Sequence, residues 1–307
     1  MPFSRRRFLS GLAVGSLGAA GAGIARAQDQ PPKLTAYQFE RQVWVRCNGQ
    51  VLTCYRAQAG DKYPYWYPWA GPVTGASLTT ESGEQFPHHR SILFGCDRVN
   101  DGNYWQEGLD RGQIVSRGPK LVSAEATLVT IANACDWALP GQDPVLSDER
   151  RFTVTAPGQN LRILDADITL TARVDVRVQK TNHSLFALRA APDLAPTGGG
   201  TLLNSDGHKA EAGTFGQRAA WCTYYGSRGD IIEGVALMDH PKNPWSPCQW
   251  FTRDYGFISP TPMNWLGPEG WSLPAGQSVR LRYRVVGYAG DPLAVNLASL
   301  YDTWAAS

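Results

Sequence analysis

The sequence predicts an all-β protein, a large antiparallel β-sandwich that is supersandwich-like and forms a single domain. The first observation is a series of β-branched or alternating segments separated by Gly, Pro and Asn/Asp turns. The second is that hardly any segment has the period of an amphipathic helix. The third is the lack of an obvious linker, since we interpret the Gly-rich stretch 195–200 as a loop within the sandwich. The strands are expected at residues 121–132, 151–155, 161–172, 174–178, 234–238 and 279–287.

Residues 161–172 have a clear strand pattern. Asp165 and Asp167 alternate there with Leu164, Ala166 and Ile168. Because successive side chains of a strand point to opposite faces, one face should be apolar, and the other should be wet or line a groove.

Asn48-Gly49 is a strong signal for a two-residue hairpin turn. This turn would pair Cys47 with Gln50 and Cys54 with Val43. The two sulfur atoms would then lie roughly 13 Å apart on one face, which is too far for a disulfide. The sequence leaves the pairing of the other cysteines open, and none of them has C-x-x-C spacing. These are Cys96, Cys135, Cys222 and Cys248.

Residues 1–27 are expected to be a twin-arginine signal peptide, which leaves a β-sandwich domain at 28–307. Ser4-Arg5-Arg6-Arg7-Phe8-Leu9 matches the export pattern, and Ala25-Arg26-Ala27 offers a cleavage site. We therefore expect a periplasmic or secreted protein. Loss of the four leader arginines would leave 25 basic and 27 acidic residues, a net charge of −2. This balance argues against a nucleic-acid partner, and no later segment is long and apolar enough for membrane insertion after cleavage.

Two short clusters of ionisable residues predict the functional site. The chain has five histidines, and three of them lie in Pro87-His88-His89-Arg90 and Asp239-His240-Pro241. A histidine held by a carboxylate can act as a general acid or base, and Arg253 can stabilise an oxyanion. The predicted catalytic residues are His88, His89, Arg90, Asp239, His240, Arg253 and Glu211.

Alternative interpretations of these clusters stay open. In an extended segment His88 and Arg90 would share one face and His89 the other, unless Pro87 holds the segment as a loop. Asp239-His240-Pro241 could instead be a rigid structural turn. No cofactor is established from the sequence, but a divalent metal could be bound by His88, His89 or His240 with a carboxylate partner.

The aromatic stretch Tyr63 to Trp69 predicts a stacking surface for a sugar, since aromatic rings pack on C–H faces. Its two prolines favour an edge or irregular strand. The alternative is that these rings simply close one end of the core. Candidate substrate-binding residues are Tyr65, Tyr67, Trp105, Trp245, Trp250 and Asn243.

Several of these blocks occur in an order that resembles the bacterial family labelled methane oxygenase PmoA-like, from about Tyr65 to Asn264. The resemblance implies a secreted β-sandwich with a role in sugar metabolism. Methane oxidation is not inferred, because the predicted domain has no spanning helix. The blocks include Tyr65-x-Tyr67-Pro68, Pro87-His88-His89-Arg90, Tyr104-Trp105, Gly216-x-Arg218 and Asp239-His240-Pro241-x-Asn243-Pro244.

The function predicted from these features is an exported protein that acts on a small carbohydrate or sugar derivative. Histidine-based general acid/base chemistry would perform an epimerisation, an elimination or a hydrolysis. One alternative is a non-catalytic carbohydrate-binding β-sandwich. The other is a metal-dependent oxygenase, as the family label implies. These hypotheses differ in whether the two histidine clusters meet in one cleft with Arg253 and an acid.

Overall fold

The computed structural model describes residues 31–83, 86–106 and 108–307. The expected signal peptide at 1–27 lies outside the described residues, as do the first three residues of the expected domain. Pro32–Ser307 forms one compact unit. In this described part of the chain, no helix has both the length and the apolar character needed to cross a membrane.

Two large sheets form the fold, and every strand pair in the described residues is antiparallel. The first sheet has eight strands. In spatial order they are Leu34–Phe39 (β1), Gln42–Cys47 (β2), Gln50–Arg56 (β3), Tyr65–Trp69 (β4), Ile92–Cys96 (β5), Ser184–Arg189 (β12), Phe257–Pro260 (β17) and Trp250–Arg253 (β16).

The second sheet has nine strands. In spatial order they are Thr201–Asn204 (β13), Trp221–Arg228 (β14), Ile231–Asp239 (β15), Ser278–Ala289 (β19), Leu161–Ala172 (β10), Leu146–Gly158 (β9), Leu128–Ala138 (β8) and Gln113–Ser116 (β6), with Lys120–Ala124 (β7) also paired to β8. A small two-stranded sheet pairs Val176–Val178 (β11) with Trp271–Leu273 (β18).

Aromatic side chains from both sheets meet in the core. Trp66 of β4 packs edge-on against Phe152 of β9, with ring centroids 5.1 Å apart. Phe186 of β12 stacks on Tyr283 of β19 at 4.7 Å. These contacts define the inner face of each sheet and confirm the predicted antiparallel β-sandwich.

The predicted strand at residues 161–172 is confirmed with the same bounds. Leu164, Ala166 and Ile168 are buried, and Asp165 and Asp167 lie on the partly exposed face. They form ion pairs with Arg284 and Arg280 of β19. The single strand predicted at 121–132 is wrong, because a turn closed by the Glu125 N–H to the Leu128 carbonyl oxygen (2.8 Å) separates β7 from β8.

The hairpin at Asn48-Gly49 is confirmed, with Cys47 opposite Gln50. The predicted partner of Cys54 is wrong by one residue, because a bulge after Val45 shifts the register and places Trp44 opposite Cys54. All six cysteines of the chain are buried free thiols. Burial raises the pKa of the Cys54 thiol to about 12.

The aromatic strand β4 is not an edge strand, because it pairs with both β3 and β5. Within β4, only Tyr65 and Trp66 pair with β5, so Pro68 is not required to donate a hydrogen bond to that strand. A register shift against β3 also breaks the alternation. As a result Trp69 faces the second sheet, where a Cβ added to Gly287 would lie 2.7 Å from its Nε1 atom.

In the described part of the chain, three helices cover other parts of the sandwich: Ala210–Thr214 (α1), Pro292–Val295 (α2) and Leu297–Ala305 (α3). Asn296 caps α3 by accepting a hydrogen bond from the Ser299 N–H at 3.2 Å. The buried side chains Leu297 and Trp304 pack on the outer face of the second sheet. Short 3-10 helices lie at Leu109–Arg111, Pro192–Leu194, Pro196–Gly198 and Pro262–Trp265, so residues 195–200 are a loop within the sandwich, as predicted.

Candidate functional site

A cavity of about 350 Å³ lies on the outer face of the first sheet. Phe186 of β12 faces the core, so Arg189, three residues later, points outward. Phe257 pairs with Arg189, and Arg253 pairs with Phe257, which places all three on the outer face. We name this cavity the histidine pocket. It is lined by Phe86, His88, His89, Gln106, Asn182, His183, Phe251, Arg253, Tyr255 and Phe257.

His88 and His89 reach the pocket from a turn that precedes β5. The His89 N–H donates to the Phe86 carbonyl oxygen at 3.1 Å, and the Tyr63 hydroxyl donates to the His88 carbonyl oxygen. The segment is therefore a loop, which is the alternative that Pro87 suggested, and not an extended strand. Both imidazoles consequently line one cavity.

His183 enters the pocket through the pairing of β5 with β12. Cys96 is opposite Ser184, so the next pair of residues is Asp97 and His183, and the Asp97 N–H donates to the His183 carbonyl oxygen at 3.0 Å. The carboxylate Oδ2 of Asp97 lies 3.3 Å from His183 Nδ1. This arrangement can hold the His183 tautomer with its proton on Nδ1.

Two aromatic rings stack on the His89 imidazole. Phe86 stacks on it at 5.0 Å and Phe257 at 4.2 Å, and Tyr255 stacks on Phe86 at 4.8 Å. Burial, together with the neighbouring imidazoles, lowers the pKa of His89 to about 2 and that of His88 to about 4. Both imidazoles are therefore neutral at neutral pH.

Arg253 is the arginine among the described residues that line the pocket. Its guanidinium donates to Glu211 Oε1 at 2.7 Å and lies 4.1 Å from the centre of the Phe251 ring. Glu211 is in α1 and also accepts the Asp254 N–H at 3.2 Å. The predicted association of Arg253 with an acid and a histidine is thus present in the geometry.

The expected convergence of His240 on this pocket is wrong. His240 follows β15 of the second sheet, where it is fully buried against Trp304 of α3 with ring centroids 4.7 Å apart. Its Nδ1 atom accepts hydrogen bonds from the Lys242 N–H and the Arg282 guanidinium, each at 3.0 Å. His240 belongs to a structural turn and not to the histidine pocket.

Residues 42–302 match the protein family described as "Family of unknown function (DUF6807)". The chain belongs to the DUF6807 family. The expected membership of the methane oxygenase PmoA-like family is therefore wrong. No curated protein matches the chain.

Two solved structures are similar to this DUF6807 protein at low identity. The galactose 1-epimerase from Lactobacillus acidophilus NCFM is 10% identical with a TM-score of 0.37, and the match covers 84% of this chain and 98% of that one. The GalM/aldose epimerase homologue from C. elegans is 7% identical with a TM-score of 0.31, covering 84% and 99%. Similarity at this level does not assign chemistry.

The other predicted catalytic residues of this DUF6807 protein lie outside the pocket lining. Arg90 forms an ion pair with Asp61 at 2.8 Å and lies over the Tyr65 ring. Asp239 is buried and accepts a hydrogen bond from Asn243 Nδ2 at 2.7 Å. Burial raises the pKa of Asp239 to about 7.

The predicted substrate-binding residues are scattered. The Tyr65 hydroxyl donates to Glu81, and Tyr67 is half-buried beneath Arg56. Trp250 is fully buried, and its Nε1–H donates a hydrogen bond to the Ala219 carbonyl oxygen. Trp245 lines a separate cavity. Trp105 alone touches the site, where its buried ring lies 5.7 Å from the His183 ring.

A larger cavity of about 690 Å³ lies on the outer face of the second sheet. Its lining includes Arg117 and Arg280, whose charges are neutralised by ion pairs with Asp136 and Asp167. None of the residues lining it is a histidine. We therefore place the site of the DUF6807 protein in the smaller pocket, where groups capable of proton transfer converge.

Sequence reasoning missed His183. No motif marks Lys180-Thr181-Asn182-His183, but the residue lies at the start of a strand. Strand ends often carry site residues, and the same argument had selected Asp239 and His240. Applied to every histidine, it would have included His183.

Proposed function

We propose that this protein is an enzyme that removes a proton from a small carbohydrate or sugar derivative bound in the histidine pocket. The observation that carries the proposal is the convergence of three imidazoles and one guanidinium in a single aromatic-walled cavity. Two of these imidazoles are neutral at neutral pH because they are buried.

The size and lining of the pocket support a small polar ligand with apolar faces. Its volume of about 350 Å³ is near the lower end of the range of small-molecule sites. Tyr255 and Phe251 offer apolar ring surface, as sugar C–H faces require. Gln106, Asn182 and Arg253 offer hydrogen bonds to hydroxyl or carbonyl oxygens.

A neutral imidazole has a free electron pair and can accept a proton. His183 is the best placed of the three to do so, because the Asp97 carboxylate 3.3 Å from its Nδ1 atom can stabilise the charge that the ring gains. Arg253 can stabilise the negative charge that develops on a neighbouring oxygen. Epimerisation and elimination both begin with such a proton removal next to a carbonyl or carboxyl group. Hydrolysis of a glycoside by paired carboxylates is disfavoured, because none of the described residues that line the pocket is an acid. Asp97 acts on the pocket only through His183.

A panel of keto-sugars, uronates and reducing sugars tests the proposal in deuterium oxide. We expect at least one ligand to bind and to exchange a carbon-bound proton for deuterium, as seen by NMR. The His183→Gln and Arg253→Met variants should reduce exchange by about 10²–10⁴-fold. His208→Gln is the matched control, because His208 is exposed and outside the pocket. Binding without exchange would identify a non-catalytic sugar-binding protein, and no binding at all would overturn the substrate class.

We further propose that the protein works in the periplasm or outside the cell. The twin-arginine pattern at Ser4-Arg5-Arg6-Arg7-Phe8-Leu9 supports this. Replacement of Arg5 and Arg6 by lysine should retain the protein in the cytoplasm with residues 1–27 attached. Recovery of the variant in the periplasm at the wild-type level would contradict export by this route.

A further inference from the structure

Three imidazoles of the pocket form a cluster with the composition of a metal site. One ring nitrogen from each of His88, His89 and His183 lies within 4.8 Å of the others. The rings come from two separate parts of the chain, the turn before β5 and the residue before β12. Each of these ring nitrogens would form a hydrogen bond with water if it were exposed.

The surroundings of the His89 ring favour a ligand that lies in the plane of the imidazole. Phe86 and Phe257 stack on this ring at 5.0 and 4.2 Å, and the residue is only 3% exposed. Its Nδ1 atom is buried and has no hydrogen-bond partner among the described residues. A buried nitrogen without a partner is costly, and a metal ion binds imidazole along the in-plane electron pair that remains.

Asp97 provides the outer contact that metal-binding histidines usually have. Its Oδ2 atom lies 3.3 Å from His183 Nδ1, so Nε2 is the nitrogen left for a cation. A carboxylate in this position fixes the ring and makes the ligating nitrogen more basic. Asp97 is only 5% exposed, which keeps this contact away from water.

We propose that His88, His89 and His183 bind one divalent transition-metal ion, such as Zn²⁺, with an open position toward the pocket. Three imidazoles suit zinc, iron, nickel or copper and do not suit magnesium or calcium. In a tetrahedral zinc site the ligating nitrogens are roughly 3.3 Å apart, as bonds of about 2.0–2.1 Å require. The nitrogens of the cluster lie within 4.8 Å of one another, so binding of the ion would draw the three rings closer together.

The inference deepens the proposed function, and it rests on that function only for the role of the cation. A cation in this position would polarise a substrate oxygen and so favour loss of the neighbouring proton. The three imidazoles would then act as ligands, and a hydroxide ion held at the open position would accept the proton in their place and become water. Arg253 and the aromatic walls would keep their roles. Cation binding itself can be measured without any sugar.

The test is a titration of chelator-treated full-length protein with Co²⁺, followed by its visible absorption, and with Zn²⁺ in competition. We expect one ion per chain. His88→Ala and His183→Ala should weaken binding by about 100-fold or more, and Asp97→Asn by about 10–100-fold. His208→Ala is the control that should bind like the wild type. Circular dichroism of each variant checks that it is folded, and His88 is included because its half-buried ring can be removed at little cost to folding.

Absence of stoichiometric binding by the wild type, or unchanged binding in both histidine variants, would overturn the inference. The outcome is separable from that of the proposed function. Cation binding without sugar binding or exchange would refute the proposed function and leave the metal site. Proton exchange that is unaffected by EDTA, with no ion bound, would refute the metal site and leave the proposed function.

Discussion

His183 and His240 should respond in opposite ways to replacement by alanine. His183 lines the pocket, and its side chain makes one long hydrogen bond, 3.3 Å to Asp97. His240 is fully buried in another part of the fold. Loss of His183 should therefore reduce activity more than stability, and loss of His240 should reduce stability more than activity.

The structure gives the size of each effect. His240→Ala removes a hydrogen bond from the Lys242 N–H and one from the Arg282 guanidinium, each 3.0 Å. The neutral bond contributes about 1 kcal/mol and the charged one about 2 kcal/mol. The cavity left beside Trp304 adds about 1 kcal/mol, for a loss of about 4 kcal/mol. His183→Ala loses one hydrogen bond and partial burial, about 1–2 kcal/mol.

Urea unfolding followed by tryptophan fluorescence measures the stability of both variants, and proton exchange on the best ligand of the panel measures activity. We expect His183→Ala to lower exchange by about 10²–10⁴-fold and His240→Ala to retain it when folded. A His240→Ala protein that is stable and inactive, or a His183→Ala protein that is active and strongly destabilised, would refute the assignment of these residues.

Three further predictions concern buried charge and close packing. Asp148→Ala should lower the free energy of unfolding by about 3–5 kcal/mol, because it leaves the buried Arg150 guanidinium without its two hydrogen bonds of 2.7 and 2.8 Å to the carboxylate. A loss below about 1 kcal/mol in urea unfolding would contradict this prediction. The pKa of Asp239 rises from 3.8 to about 7 on folding, so the folded state keeps a proton that the unfolded state loses between these pH values. The free energy of unfolding should fall by on the order of 3 kcal/mol from pH 5 to pH 8 relative to that of the Asp239→Asn variant. Parallel pH profiles of the two proteins would exclude the raised pKa of Asp239. Gly71→Ala should cost about 1–3 kcal/mol, because the new Cβ would overlap the buried Glu233 carboxylate. An unchanged melting temperature would refute the close contact.

Local patterns were sufficient to predict much of the fold. The alternation at 161–172 predicted β10 and its buried face, and Asn48-Gly49 predicted the hairpin between β2 and β3. The bulge after Val45 was not predictable, because the Asn48-Gly49 signal specifies the turn and not the register further along the strands. The helix α3 was also missed, since its nine residues bury only Leu297 and Trp304.

The candidate site was predicted in part. The turn containing His88 and His89, together with Arg253 and Glu211, was selected from residue types, and the structure brings these residues together. His240 was expected to join them because it lies at a strand end. Which sheet a strand belongs to depends on pairing between distant segments, and β15 pairs with β14 and β19 of the second sheet. Another long-range pairing, between β5 and β12, brings His183 to the pocket.

All six cysteines are enclosed in the folded domain. Only a thiolate reacts readily with alkylating reagents and oxidants, and burial keeps these groups protonated. A maleimide added to native protein should therefore label a cysteine only when the chain opens around it, so the labelling rate reports the opening rate. Simultaneous labelling of all six would show that both sheets separate in one cooperative event. Protein that is already folded when it reaches an oxidising compartment would retain its thiols for as long as it stays closed.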